Sequence, residues 1–152
     1  MSDINRGTFY THYYDVYDLL ERIENELMSM VKKAVDSSMR KMGNKGFMRE
    51  ILQVISDNSD ICVVLFGKYG NSDFLKKIIY IAKDSSVAGW SSKLNAPPEY
   101  YEYIYTFLAN GVVGILQSWV LGGLKEPTEK ISQLIENLND AVVISYKWQN
   151  SL

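Results

Sequence analysis

Histidine, cysteine, carboxylate pairs and glycine-rich turns are the raw material of catalytic, metal and phosphate sites, and this chain of 152 residues holds some of each. Its single histidine, His12, has no second imidazole with which to share a metal ion or a proton, and the single cysteine, Cys62, lies far along the chain. Cys62 sits in an apolar run, Ile61-Cys62-Val63-Val64-Leu65, and reads as a small buried hydrophobe in a reducing cytoplasm. Gly67-Lys68-Tyr69-Gly70-Asn71-Ser72 has the glycines of a phosphate loop but neither its spacing nor a preceding strand, so turn chemistry accounts for it. Carboxylates are scattered over solvent faces, and no two are paired as acid and base. The chain reads as a non-enzyme that needs no metal and no cofactor.

Bulk properties leave room for one ordinary core. A domain of this length buries roughly 68–70% of its unfolded surface and needs no disulfide or metal staple. Net charge is −2. Through Arg49 there are eight Lys and Arg against seven Asp and Glu, and beyond it eight against eleven. Neither portion is the strongly basic surface of a self-sufficient nucleic-acid binder. The first residues carry no apolar signal core, which predicts a cytoplasmic protein. Tyr103 to Leu124 lacks Asp, Glu, Lys and Arg and is long enough to span a bilayer, but it holds Thr106, Asn110, Gln117, Ser118 and four glycines. A helix buried on two sides explains it without a membrane.

The elements that must position any site are helices, because apolar residues recur at helical spacing almost throughout. Asp15 is placed as the N-cap of a long helix with the stripe Val16, Leu19, Leu20, Ile23, Leu27, Met30, Val31, Ala34, Val35, Ser38 and Met42, ending near Gly43-Asn44-Lys45-Gly46. Phe47 to about Ser56 repeats the pattern, and Asp60 to Phe66 is assigned to helix on context. Another helix follows the turn at Gly67–Asn71, and Ser85 to Asn95 is the least regular stretch. Pro97-Pro98 opens a helix that Gly122-Gly123 closes, and Pro127 starts the last one. The fold class is all-α.

The helix from Pro98 to Leu121 is apolar on nearly every side. One stripe is Tyr101, Ile104, Leu108, Val112, Ile115 and Trp119; another is Tyr103, Phe107, Gly111, Gly114 and Leu121. One face is expected to cover the chain's own core and the other to meet a second subunit, with Gly111 and Gly114 allowing close approach. A homodimer is predicted through Gly111, Gly114, Ile115, Ser118, Trp119, Leu134, Leu138 and Val142.

Near the start stands Arg6-Gly7-Thr8-Phe9-Tyr10-Thr11-His12-Tyr13, followed by Asp15 and Leu19-Leu20. This Gly-Thr-aromatic-Tyr-x-His-aromatic pattern before a long amphipathic helix resembles the recognition helix of tetracycline-repressor (TetR) family regulators. The run from Phe107 to Trp119, with the helix after it, is similar to the C-terminal region of one branch of that family, common in Firmicutes-type regulators. The resemblance implies a transcriptional regulator with two parts. Residues 1–14 would be a remnant of the helix-turn-helix DNA-binding domain, lacking its first two helices; residues 15–152 would form the helical effector-binding and dimerisation domain. It implies phosphate contacts for Thr8, Tyr10 and His12, and places Asn5 and Arg6 near positions that face base edges. Hydroxyl and imidazole groups suit phosphate oxygens, and Arg can read guanine. The family usually has a Lys where Val16 opens the long helix here.

The resemblance further implies an effector pocket among the central helices, with Phe66, Tyr80, Trp90, Tyr103 and Phe107 as its candidate lining. Few charges lie there, so a small apolar effector is expected. Its partners would be a second copy and a DNA operator. The alternative is a ligand-binding and dimerisation module without independent DNA binding.

Overall fold

The computed structural model describes residues 16–42, 46–67, 72–81, 83, 87 and 91–148. The expected domain boundary near residue 15 and the Asp15 cap fall outside them. Six α-helices form the described chain: α1 (Val16–Met42), α2 (Phe47–Asp57), α3 (Ser59–Phe66), α4 (Ser72–Ile81), α5 (Tyr101–Leu121) and α6 (Thr128–Ser145). A 3-10 turn, Pro98–Tyr100, leads into α5. No strand occurs among the described residues, whose only β pairing is one isolated parallel bridge between Asn95 and Lys147. The all-helical expectation holds.

Local chemistry explains where the helices begin and stop. Helix α1 has Asp18 in its first turn and Arg40 and Lys41 in its last, signs that complement the helix dipole. Gly46 takes a left-handed φ of 88° before α2. Helices α2 and α3 are separated by Asn58 alone. Its backbone amide donates to Val54 O at 3.1 Å and its side-chain amide donates to the same carbonyl at 2.8 Å, while Cys62 N–H donates to Asn58 O at 3.0 Å. Helix α5 ends in a Schellman motif. Leu124 N–H donates to Trp119 O at 2.9 Å and Gly123 N–H to Val120 O at 3.1 Å, with Gly123 at φ 94°. Pro127 then caps α6, its carbonyl accepting from Lys130 N–H at 3.0 Å.

Long α1 lies along α2, and α2 in turn backs onto α6; α3 and α4 rest against α5. The core fills the space between these layers, with Leu27, Val31, Ile51, Leu52, Ile55, Phe74, Ile78, Leu116 and Ile135 fully or almost fully enclosed. Helical spacing decides the short α3. Cys62, Leu65 and Phe66 turn inward while Val63 and Val64 face out, the order a helix imposes and an alternating strand would not. The predicted stripe of α1 is borne out at Leu27, Val31, Val35 and Ser38, whereas Val16 and Met30 are exposed. Val16 lies in the first turn of α1, and Met30 sits on the flank of the stripe beside buried Val31.

Ser38 is 3% exposed and its hydroxyl finds no hydrogen-bond partner among the described residues. A buried hydroxyl without a partner loses its water contacts and gains none in return, a deficit of about 1–3 kcal/mol. Alanine is also the better helix former. Ser38→Ala should therefore raise unfolding stability by about 1 kcal/mol, read as a higher urea midpoint at constant m-value; a lower midpoint would refute the assignment.

Candidate effector region and pairing face

Helix α5 is the element around which both candidate surfaces are arranged. Its inward stripe is Tyr105, Val112, Val113, Leu116, Trp119 and Val120, all buried. Its outward stripe is Tyr103, Phe107, Gly111, Gly114, Ser118 and Leu121, all exposed, with Tyr103 at 73% and Phe107 at 70%. Helix α6 behaves in the same way. Ile131, Ser132, Ile135 and Val143 are buried, while Leu134 and Leu138 stay exposed at 45% and 48%. Two neighbouring helices thus each turn one apolar stripe to the core and another outward.

The glycines sharpen this picture. A β-carbon built on Gly111 or Gly114 would meet nothing within 4 Å, so no contact inside the subunit requires glycine at either position. Glycine inside a helix costs about 1 kcal/mol relative to alanine.

Of the residues predicted for the pairing face, Gly111, Gly114, Ser118, Leu134 and Leu138 point outward, and Ile115 and Val142 lie half-buried at its margin. Trp119 does not belong with them. It is 4% exposed and its indole N–H donates to Glu126 O at 2.9 Å, fastening the turn after α5 to the core. Sequence could not separate Trp119 from Ser118, because both stripes of α5 are apolar and only the packing of α3 and α4 decides which faces in.

The predicted effector lining is scattered. Phe66 is buried, its ring centroid 6.3 Å from that of Phe74. Tyr80, Tyr103 and Phe107 are exposed and do not enclose a space with it, which corrects the expectation for those three. The physical reason is again rotation of α5: Tyr103 and Phe107 occupy the stripe turned away from α4. Trp90 and the DNA-contact candidates Asn5, Arg6, Thr8, Tyr10 and His12 lie outside the described residues.

The residue that sequence reasoning missed is Tyr105. It is 8% exposed and its hydroxyl donates to Ile79 O at 2.8 Å, binding α5 to the end of α4. Beside it, Lys83 is paired with the Glu102 carboxylate and stands over two rings, 4.9 Å from the centroid of Tyr80 and 5.7 Å from that of Tyr105. The hydrogen bond that Lys83 donates to Glu102, reinforced by Tyr80, raises the Lys83 pKa against the opposing pull of desolvation. A buried tyrosine must find a partner for its hydroxyl, and this requirement was the available signal. Tyr105→Phe should lower stability by about 1 kcal/mol with the fold retained, measured by urea unfolding; no loss would show that the bond is not formed.

Cys62 is fully buried, and desolvation pushes its thiol up to about 12, so the reactive thiolate is suppressed. Among the described residues no group of three His, Cys, Asp or Glu could hold a metal ion. Native protein at mildly alkaline pH should react with a thiol reagent only as fast as it opens, and at once in about 8 M urea, where the chain is unfolded. Rapid native labelling would contradict the burial.

The described residues form an all-helical body with a long leading helix and two final helices bearing outward apolar stripes. Residues 44–141 match the family model TetR_C_8, the C-terminal region of transcriptional regulators, and the chain belongs to that family. This is a family of regulators and not of enzymes. No individual curated protein and no solved structure matches the chain.

Proposed function

We propose that this chain pairs with a second copy through the outward stripes of α5 and α6 and serves a cytoplasmic transcriptional regulator as its effector-sensing body. The observation that carries the reading is the outward stripe of α5, aromatic and aliphatic, with two glycines that nothing inside the subunit demands. The segment Pro98–Leu121 has the hydropathy of a membrane span, yet only 33% of its apolar window is buried within the chain. A second copy would cover the remainder in a four-helix arrangement. Two helices of about 30 Å, side by side, present roughly 600 Å² per subunit, which reaches the lower range of stable protein interfaces.

In this reading Asn5 and Arg6 face base edges, and Thr8, Tyr10 and His12 hold phosphates. The two copies must set their reading segments roughly 34–36 Å apart to meet successive half-sites. Helix α1 is the lever: it leaves the reading segment and lies along α2, which contacts α6 of the pairing face. A small apolar effector that favours one placement of α1 over another shifts operator affinity by its difference in affinity for the two placements.

A second reading has its own support. The first turns of α1 expose Asp18, Glu21 and Glu26, with Arg22 turned onto Glu26 at 3.5 Å. Such an acidic surface next to the reading segment favours a dimerisation and ligand-binding module without independent operator binding.

Sedimentation equilibrium at tens of micromolar should show twice the chain mass, and Leu138→Glu, which places a charge in the paired stripe, should give monomers that keep their helical circular dichroism. A monomeric wild-type protein would defeat the pairing. Gel shift across a salt series separates the two readings: a specific complex that survives competitor DNA supports the regulator, and no such complex supports the module.

A further inference from the structure

Helices α5 and α6 are joined at one end by the turn Gly122–Pro127, and a second link closes their other end. Helix α6 stops at Ser145, and Tyr146 takes an extended conformation at φ −65° and ψ 131°, its amide donating to Val142 O at 3.0 Å. Lys147 then forms the isolated parallel bridge with Asn95, and Trp148 N–H donates to Asn95 O at 3.1 Å. The Trp148 ring lies against Tyr100 with centroids 4.4 Å apart, and Tyr100 stands 6.2 Å from Tyr103 at the start of the outward stripe of α5. The segment that this tail grips is the connection into α5. It buries Leu94 at 6% exposure, and its other end is held where the Tyr101 hydroxyl donates to Ser91 O at 3.1 Å.

Residues just beyond a final helix ordinarily fray unless something ties them down. Here a backbone pairing and a ring contact, made to two different residues, both do so. Their position matters more than their number. Helix α5 leans on α3 and α4 while α6 leans on α2, so the two pairing helices belong to different layers. A hinge at Gly122–Pro127 alone would leave their far ends free to splay. The tail joins those ends through Asn95 and Tyr100.

We propose that Tyr146–Trp148 is a strap that pins the connection Ser91–Ala96 to the end of α6 and braces α5 against α6. The first role stands by itself; the second rests on the pairing proposed above. Opening the strap releases the Asn95 carbonyl and the Tyr100 ring together. That frees the connection in which Leu94 is buried and loosens the register of the outward stripes. The hold on residues 91–96 and the pairing of two bodies are thereby tied to one event.

Hydrogen–deuterium exchange of the full chain, wild type against Trp148→Ala, Trp148→Phe and Tyr100→Ala, tests the strap. Peptides covering residues 91–97 should exchange at least about tenfold faster in Trp148→Ala and Tyr100→Ala, because local opening replaces protected contacts there. Trp148→Phe, which keeps a ring, should restore most of the protection, and α2 peptides should be unchanged in all three. Unaltered exchange of residues 91–97 in both alanine variants would overturn the proposal. Faster exchange in α2 as well would also overturn it, since the ring contact would then be general core. The brace is read separately by sedimentation: the dimer dissociation constant should rise about tenfold in Trp148→Ala, matching the loss of local protection. An unchanged constant beside faster loop exchange would overturn the brace. A wild-type monomer would remove the pairing on which the brace rests and leave the exchange result for the strap intact.

Discussion

Everything in this structure follows from the rotation of α5 about its own axis. The helix is apolar nearly all round, so hydrophobic burial alone would allow several orientations. What selects one is the set of polar groups that must be satisfied on the inward side. The Tyr105 hydroxyl has to reach Ile79 O, and the Trp119 indole N–H has to reach Glu126 O. A buried donor left without an acceptor costs about 1–3 kcal/mol, so the Tyr105 bond to α4 excludes neighbouring rotations, while the Trp119 bond fixes the turn that follows α5. With those anchored inward, Tyr103, Phe107, Gly111 and Gly114 have no option but to face out.

The same rotation organises charge around the helix. Lys83 approaches the first turns of α5 from the end of α4 and is held between Glu102 and the rings of Tyr80 and Tyr105. On the other side Arg49 of α2 donates to Glu129 of α6 at 3.1 Å. Both partners of that pair are well exposed, and it adds little to stability. The charged contacts therefore trim the arrangement of helices, while the inner apolar stripes and the two anchored hydroxyl and indole groups hold it.

Family membership and the outward stripes give this body a role that its own side chains would not reveal. The Cys62 thiol is buried, while Tyr103 and Phe107 stand exposed. Under the proposed function the output is a change of relative position. In such a protein the informative features are joints and braces: the single residue Asn58 between α2 and α3, the Schellman turn at Gly123, and the tail that returns to Asn95.

Sequence by itself determined the helical class, the approximate helix limits, the burial of Cys62 and the presence of two apolar stripes on the helix after Pro98, because periodicity and capping are local properties that survive without the rest of the chain. It also named Gly111, Gly114, Ile115, Ser118, Trp119, Leu134, Leu138 and Val142 as one surface, and of these Gly111, Gly114, Ser118, Leu134 and Leu138 lie exposed. Which stripe Trp119 joins, whether Tyr80, Tyr103 and Phe107 enclose a space, and where Trp148 comes to rest were decided only by tertiary structure. Each depends on a partner distant in sequence: Tyr105 on Ile79, and Trp148 on Asn95 and Tyr100. An amphipathic pattern records how much apolar surface a helix must hide, but the direction in which it is hidden is set by hydrogen-bonding groups on other helices, and no local pattern carries that information.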